Sequence, residues 1–262
     1  MRPLDFECTI GQPFGENQND FYASIGLRGH TGIDEACGYG TNVHAYAPGH
    51  VYSMYTVEHP ANDGFVCVYT ICQTDLEIFE FSYGHLSQIE VKLGNDVQKG
   101  EKIGEEGNKG VVYSGGRRIT LAMQARGDRR GSHRHVQKRP LYKVKKIRPG
   151  DMPLTTAQGT YRDKDGYYYV QADPNNGYAG CRDFAHELFN KNLYLGSRGY
   201  DVYLLQKALI RQGYGNHEPT DYFGTITLGM VREYQKHAGI SPALGFFWPK
   251  TRAALNAVYK PI

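Results

Sequence analysis

Between residues 1 and about 149 the apolar positions come in short bursts, not at helical spacing. Residues 77–83 (EIFEFSY) alternate polar and apolar side chains with a period of two, the mark of a strand. Residues 65–71 (FVCVYTI) form a β-branched and aromatic run of strand length. In residues 43–55 the turn Ala47-Pro48-Gly49 precedes the roughly alternating HVYSMY. Asn95-Asp96 and Lys99-Gly100 punctuate another pair of short strands. Residues 119–125 (ITLAMQA) and 141–147 are further strand candidates. Short strands separated by turn residues predict a β-rich N-terminal domain, an antiparallel sheet or sandwich, over residues 1–149.

The texture changes at Pro149-Gly150. Residues 150–193 predict a linker with local structure. It has a hairpin turn at Asp163-Lys164-Asp165-Gly166 before YYYV and a turn cluster at Asp173-Pro174-Asn175-Asn176-Gly177. Its tyrosines are expected to pack on something, so disorder is not expected. From Gly199 the period becomes helical. Residues 200–212 place Val202, Leu205, Ala208 and Leu209 at helical spacing, with Gly213 as the stop. Residues 225–237 do the same with Leu228, Val231 and Tyr234, and residues 250–259 give a third short helix. Residues 194–262 therefore predict a small all-α three-helix domain. Its turns FGTIT (223–227) and FWPKT (247–251) echo one another.

Composition narrows the function classes. The 262 residues hold 32 Gly and 21 Tyr, which favours short strands and tight turns. No stretch approaches the ~20 apolar residues of a membrane span, so no membrane insertion is expected. The first seven residues carry no apolar segment of the signal-peptide kind, so no cleaved leader is expected. Five cysteines (Cys8, Cys37, Cys67, Cys72, Cys181), an odd number without a CxxC pair, predict buried or free thiols, neither a disulfide framework nor a cysteine metal cluster. The net charge of +3 hides a basic stripe from Arg126 to Arg148 in which Asp128 is the single acid. Such a stripe attracts polyanions, or is a solvated loop and strand edge. It lacks the interleaved aromatics that stack bases, so nucleic acid is not an expected partner.

The candidate chemistry lies in three histidine groups. In His30-Thr31-Gly32-Ile33-Asp34, His and Asp are both good zinc ligands, and an extended segment turns positions i and i+4 to one face. In His133-Arg134-His135 a strand would project both imidazoles side by side, as a metal or acid–base device or as part of the basic stripe. His85, in Tyr83-Gly84-His85-Leu86-Ser87, ends a clean strand. Taken singly, each group has an ordinary surface or structural reading.

Taken in order they resemble the lysostaphin-type zinc metallopeptidases, which cut peptide bonds in bacterial peptidoglycan. That family carries HxGxD, then a strand ending in a Y-x-H-L-S-like segment, then V-x-x-G-x-x-V-x-x-G-x-x-I-G, then HxH. Here HTGID (30–34), YGHLS (83–87), VKLGNDVQKGEKIG (91–104) and His133-Arg134-His135 follow that order. The resemblance covers roughly residues 10–140. It implies a lysostaphin-type peptidase fold with one Zn²⁺ held by His30, Asp34 and His135, a fourth position open to water. It also implies catalytic roles for His133, as general base, and His85, which would orient the water or stabilise the oxyanion.

Three departures stand out. Residues 105–132 are longer than the family's turn and contain SGGRR and RGDRRG, which predicts an inserted hairpin beside the cleft. Arg134 replaces an apolar residue, so the packing behind the site must differ. Gln137 stands where the family often has an acid.

Residues 195–258 resemble the three-helix peptidoglycan-binding domain found at the ends of wall hydrolases, with Trp248 in place of a glycine. The combined expectation is an endolysin-like monomer whose partner is bacterial peptidoglycan. It would be made in the cytoplasm and act on the wall after release, or be carried by a virion. The alternative is a non-catalytic wall-binding or activator protein with a peptidase-like fold.

Overall fold

The computed structural model describes residues 8–16, 20–24, 27–56, 64–172 and 188–259. The chain divides into two compact units: Met1–Thr74 with Ile78–Asp183, and Asp75–Glu77 with Phe184–Ile262.

The first unit begins with β1 (Thr9–Gln12), α1 (Phe21–Ser24), β2 (Ile33–Ala36), β3 (Asn42–His44), β4 (Gly49–Tyr55) and β5 (Cys67–Gln73). It continues with β6 (Ile78–Gly84), β7 (Gln88–Ile89), β8 (Asp96–Val97) and β9 (Lys102–Glu105). Then come β10 (Val112–Ser114), β11 (Arg117–Ile119), α2 (Leu121–Ala125), β12 (Arg134–Val144), β13 (Thr155–Thr156), β14 (Gly159–Thr160) and β15 (Tyr168–Gln171). The main sheet runs β1-β2-β12-β6-β5-β4-β8, with β15 also pairing β12, and a smaller sheet runs β3-β9-β7. The pairings are antiparallel. The β-rich fold predicted from the alternation is thus the fold observed.

The alternating strand EIFEFSY becomes β6 at the sheet centre. Phe79, Phe81 and Tyr83 fill the core on one face, where their rings pack at 5.4 and 5.9 Å between centroids. Burial of such large rings is the dominant driving force here. The other face carries Glu80 and Ser82, which are buried as well.

Four expectations need correction. Residues 119–125 are not a strand. The stretch leaves β11 at Ile119, and the Thr120 hydroxyl accepts from the Met123 N–H to cap α2. The cap residue outweighs the alternation. The inserted hairpin does form, as β10–β11.

Residues 150–171 are not a linker. β15 extends the main sheet, and Tyr161, Tyr169 and Leu154 pack with Tyr52, Ile71 and Leu141. The tyrosines find a hydrophobic floor, which is why the segment is ordered. Residues 173–177 lie outside the described residues.

The cysteines are not all thiols. Cys8 and Cys37 form a disulfide. The register Thr9↔Ala36 between β1 and β2 sets them opposite one another, a pairing that a separation of 29 residues concealed. Cys67 and Cys72 are buried thiols, as expected; Cys181 lies outside the described residues.

The basic stripe is not one surface, because strand alternation divides it. Arg134 is bonded to Glu35, the Lys138 ammonium sits 4.3 Å over the Phe79 ring, and Lys143 pairs with Asp163 at 2.8 Å.

The second unit holds α3 (Tyr200–Arg211), α4 (Thr225–His237) and α5 (Pro249–Val258), the three helices predicted. Pro249 opens α5, where its missing N–H costs nothing. The sequence echo has a structural counterpart. The Gln206 amide nitrogen on α3 donates to Thr227 Oγ1 (2.8 Å) and to the Tyr222 carbonyl (2.9 Å). On α4 the Gln235 amide nitrogen does the same to Thr251 Oγ1 (2.9 Å) and the Phe246 carbonyl (2.8 Å). Each buried amide clasps the turn that starts the next helix. Asn256 on α5 clasps both backbone groups of Phe189, at 2.9 Å each. Residues 188–193 therefore belong with the helices, because Phe189 and Leu193 are buried among them. On α4 the buried face is Thr227, Met230, Val231 and Tyr234, with Leu228 only half-buried.

Candidate functional site

Three separate segments deliver the site. Asp34 on β2 and His135 on β12 are register partners, with Asp34 Oδ1 2.8 Å from His135 Nδ1. His30 lies in the loop before β2 and is buried. Its Nε2 stands 3.2 Å from Asp34 Oδ1 and 3.0 Å from His135 Nδ1. A carbonyl oxygen can only accept, so the contact of His30 Nδ1 with the Pro13 carbonyl (3.3 Å) makes Nδ1 the protonated nitrogen. Nε2 is then free to offer its lone pair to the cluster. One ligand atom from each of His30, Asp34 and His135 lies within 4.8 Å of the others.

Gly32 makes this convergence possible. A Cβ there would stand 2.4 Å from the Val136 carbonyl oxygen and 2.8 Å from the His135 ring. The segment can approach β12 only without a side chain.

His133 precedes β12 and is bridged to Gly107. Its Nδ1 donates to the Gly131 carbonyl at 2.8 Å, and its Nε2 faces Asp34 Oδ2 at 3.6 Å. His85 follows β6 in the left-handed region (φ 60°), where histidine is among the tolerated residues. Its Nδ1 donates to the Lys109 carbonyl at 2.7 Å, and its ring lies 4.4 Å from that of His133. The five residues singled out in the sequence thus share one site.

Electrostatics divide the groups. Burial by itself would raise the Asp34 carboxyl, but the hydrogen bonds from His135 and His30 outweigh it and hold the group well below the usual carboxylate range. Burial, with His133 beside it, pushes the His85 imidazole down to about 3. Asp34 is therefore a carboxylate and His85 a neutral ring across the ordinary pH range.

Several neighbours carried no sequence signal. A cavity of about 550 Å³ over the cluster is walled by Gln12, Tyr22, Phe65, Val112 and Tyr113 among others. Burial, then Asp34 and Glu16, push the Tyr22 phenol up to about 12, so it is a neutral donor. Behind the site, Arg134 Nε donates to Glu35 Oε2 at 2.8 Å, and the Tyr46 hydroxyl donates to the same oxygen at 2.5 Å. This pair is the different packing that Arg134 foretold. Its signal was present, since each acid and base sits one residue from a cluster member, in Asp34-Glu35 and Arg134-His135. Below, the buried Glu106 accepts from the Cys37 and Gly38 N–H groups, both at 2.9 Å, and from Ser132 Oγ at 3.2 Å. It ties the end of β2 to the residue before His133. Thr31 Oγ1 donates to Gln137 at 3.3 Å, so the amide in the family's acid position holds the His30 loop.

A convergent His/Asp/His set beside two further imidazoles, opening on a cavity, has the make-up of a candidate hydrolytic metal centre. Residues 28–132 match the model of Peptidase family M23, and residues 198–255 match the model described as "Putative peptidoglycan binding domain". The chain carries an M23 peptidase domain followed by a peptidoglycan-binding domain. The first match stops at Ser132, one residue before the histidine pair.

Among solved structures, the chain is similar to the catalytic domain of lysostaphin from Staphylococcus simulans. Identity is 24% over 52% of this chain and 80% of that one, with a TM-score of 0.34. It is also similar to the prophage-encoded M23 protein EnpA from Enterococcus faecalis (22% identity, 53% and 85% covered, TM-score 0.35). A zinc containing peptidase from Vibrio cholerae is similar as well (24%, 51% and 33%, TM-score 0.36). A comparison with curated proteins finds no match.

Proposed function

We propose that this protein is a zinc-dependent endopeptidase that cuts peptide bonds in bacterial peptidoglycan and is held on the wall by its C-terminal domain. The observation that carries the reading is the convergence of His30, Asp34 and His135 from three segments, with His85 and His133 against them. The donor set fits the metal: zinc, a borderline ion, takes imidazole nitrogens together with a carboxylate oxygen, and three protein ligands leave a position open. His30, Asp34 and His135 would hold the ion. Zinc, when bound, supplies Lewis acidity that polarises a carbonyl and acidifies water.

The chain's own residues supply the proton handling. His133 has its Nδ1 proton committed to Gly131, so Nε2 carries the lone pair that takes a proton from the attacking water. His85 is fixed the same way by Lys109, which leaves its Nε2 an acceptor. A neutral acceptor can orient a water but cannot donate to an oxyanion, which favours the water-orienting role. The neutral Tyr22 phenol at the cavity wall donates its proton to Gln12 Oε1 at 3.0 Å, which fixes its oxygen as an acceptor toward the cavity. The C-terminal domain raises the enzyme's concentration on an insoluble polymer. The reading includes an endolysin-like role, with the chain reaching the wall after release or aboard a virion.

The test is the chemistry of the fragments released from purified peptidoglycan. New free amino groups without new reducing ends are expected. Reducing ends, or no fragments from any wall type, would contradict the reading.

A further inference from the structure

One candidate metal ligand is held from outside its own strand. His30 sits in the loop before β2, and the segment that follows β1 closes over it. The His30 N–H donates to the Glu16 carbonyl at 2.8 Å, and the Gly15 N–H donates back to the His30 carbonyl at 2.9 Å. The Pro13 carbonyl accepts from Nδ1 at 3.3 Å, which leaves Nε2 as the ligand atom. Gly29 lets the two backbones touch, because a Cβ there would stand 2.4 Å from the Gly15 carbonyl oxygen. Residues 13–16 thus form a strap that fixes both the position and the tautomer of His30. Asp34 and His135, by contrast, lie on strands paired with one another.

The strand that carries the strap is weakly anchored. β1 is four residues long and is the edge strand of the main sheet. It meets β2 at Thr9↔Ala36, Ile10↔Glu35 and Gln12↔Asp34, with an irregularity between Ile10 and Gln12. So short and interrupted an edge opens at low cost. The Cys8–Cys37 disulfide fastens the end of β1 away from the strap to the end of β2. Cys37 is fixed in turn, since its N–H and that of Gly38 donate to the buried Glu106 carboxylate, both at 2.9 Å. Both cysteines are half-buried, within reach of a small thiol.

We propose that the Cys8–Cys37 disulfide positions His30 through this strap, so that zinc affinity at the His30, Asp34 and His135 cluster depends on the redox state of a bond outside the cluster. The inference rests on the zinc-hydrolase reading. The switching step is thiol–disulfide exchange with a small-molecule thiol. Two such thiols give two electrons and two protons to the bond, leaving two cysteine thiols here and a disulfide between the reductant molecules. The strap then opens with β1, and His30 loses the carbonyl that orients it. Loss of an outer hydrogen-bond partner of this kind weakens metal binding about 10–100-fold. In a thiol-rich compartment the chain would load zinc poorly, and in an oxidising one it would load fully.

The test is competition for zinc against a chromophoric chelator, run on the full chain in three forms: oxidised, reduced by a phosphine, and Cys8→Ser/Cys37→Ser. The zinc dissociation constant should rise about 10–100-fold in the last two. Gly29→Ala, which keeps the disulfide and pushes the strap away, should show the same loss. By NMR, His30 should keep a protected Nδ1 proton in the oxidised wild-type chain alone, while the amides of β5, β6 and β12 stay unchanged in every form. Equal zinc affinity in the oxidised, reduced and double-serine chains would overturn the proposal. So would a loss in Gly29→Ala alone, since the strap then holds without the bond, or a loss that comes with disruption of β5, β6 and β12. Wall clearance at saturating zinc is followed in parallel. Redox-dependent zinc binding without clearance contradicts the hydrolase reading and supports this inference. Clearance with redox-independent zinc binding does the reverse.

Discussion

Asp34 and His135 face one another across β2 and β12, with Oδ1 and Nδ1 2.8 Å apart, although 101 residues separate them in sequence. The pairing is backbone-directed: antiparallel register, not loop closure, sets these two cluster members side by side. A register slip of one residue would turn Asp34 to the opposite face and bring Glu35 forward. Arg134↔Glu35, the adjacent register pair, resists such a slip, because its buried charges satisfy each other only in this alignment.

That buried pair yields a stability prediction. Arg134→Leu alone leaves Glu35 charged and unpaired under the site, and should cost about 3–5 kcal/mol. The double variant Arg134→Leu with Glu35→Leu should recover most of this loss, since an apolar pair avoids the desolvation penalty. Urea unfolding of the three proteins measures it. Equal losses in the single and double variants would mean that the pair contributes nothing to alignment.

His85 sets a pH dependence. Its folded pKa is depressed to about 3, while the unfolded ring titrates near 6.5. As pH falls below about 6.5 the unfolded chain binds a proton that the folded chain refuses. The stability this group confers is therefore complete above about pH 6.5 and erodes toward pH 3, by at most about 1.4 kcal/mol per pH unit. His85→Asn keeps a side chain tolerated at φ 60° and removes the titration. Thermal melts from pH 7 to pH 4 should show a flatter slope for the variant; parallel slopes would assign the acid sensitivity elsewhere.

The Cys8–Cys37 disulfide anchors β1, which contributes Gly11 and Gln12 to the wall of the cavity over the His30, Asp34 and His135 cluster. Closing a loop of this length is worth about 3–4 kcal/mol. Reduction, or Cys8→Ser, should lower the melting temperature and raise hydrogen exchange in β1 before the rest of the sheet. Uniform exchange across the sheet would show that β1 is held by its pairing alone.

Much of this architecture is legible in the residues. The period-two strands, the three helices and the five clustered side chains follow from local pattern and ordered motifs. What escapes is long-range. The disulfide depends on a register that no local signal reports. The helix at 121–125 hinges on one capping hydroxyl, in a stretch that otherwise alternates like a strand. Residues 150–171 read as a linker because their partners, Tyr52, Ile71 and Leu141, lie far back in the chain. Glu106 sits in an unremarkable EEG sequence, and only the fold turns it under the ends of β2 and β12.

The most direct measurement is the turbidity of purified peptidoglycan treated with the wild-type chain and with His135→Ala, each after chelator and after added zinc, with bound metal determined on the same samples. The account predicts one zinc per wild-type chain, clearance that chelator stops and zinc restores, and neither metal nor clearance for His135→Ala. Clearance that survives complete removal of metal, or a wild-type chain that binds wall and zinc yet never clears it, would contradict it.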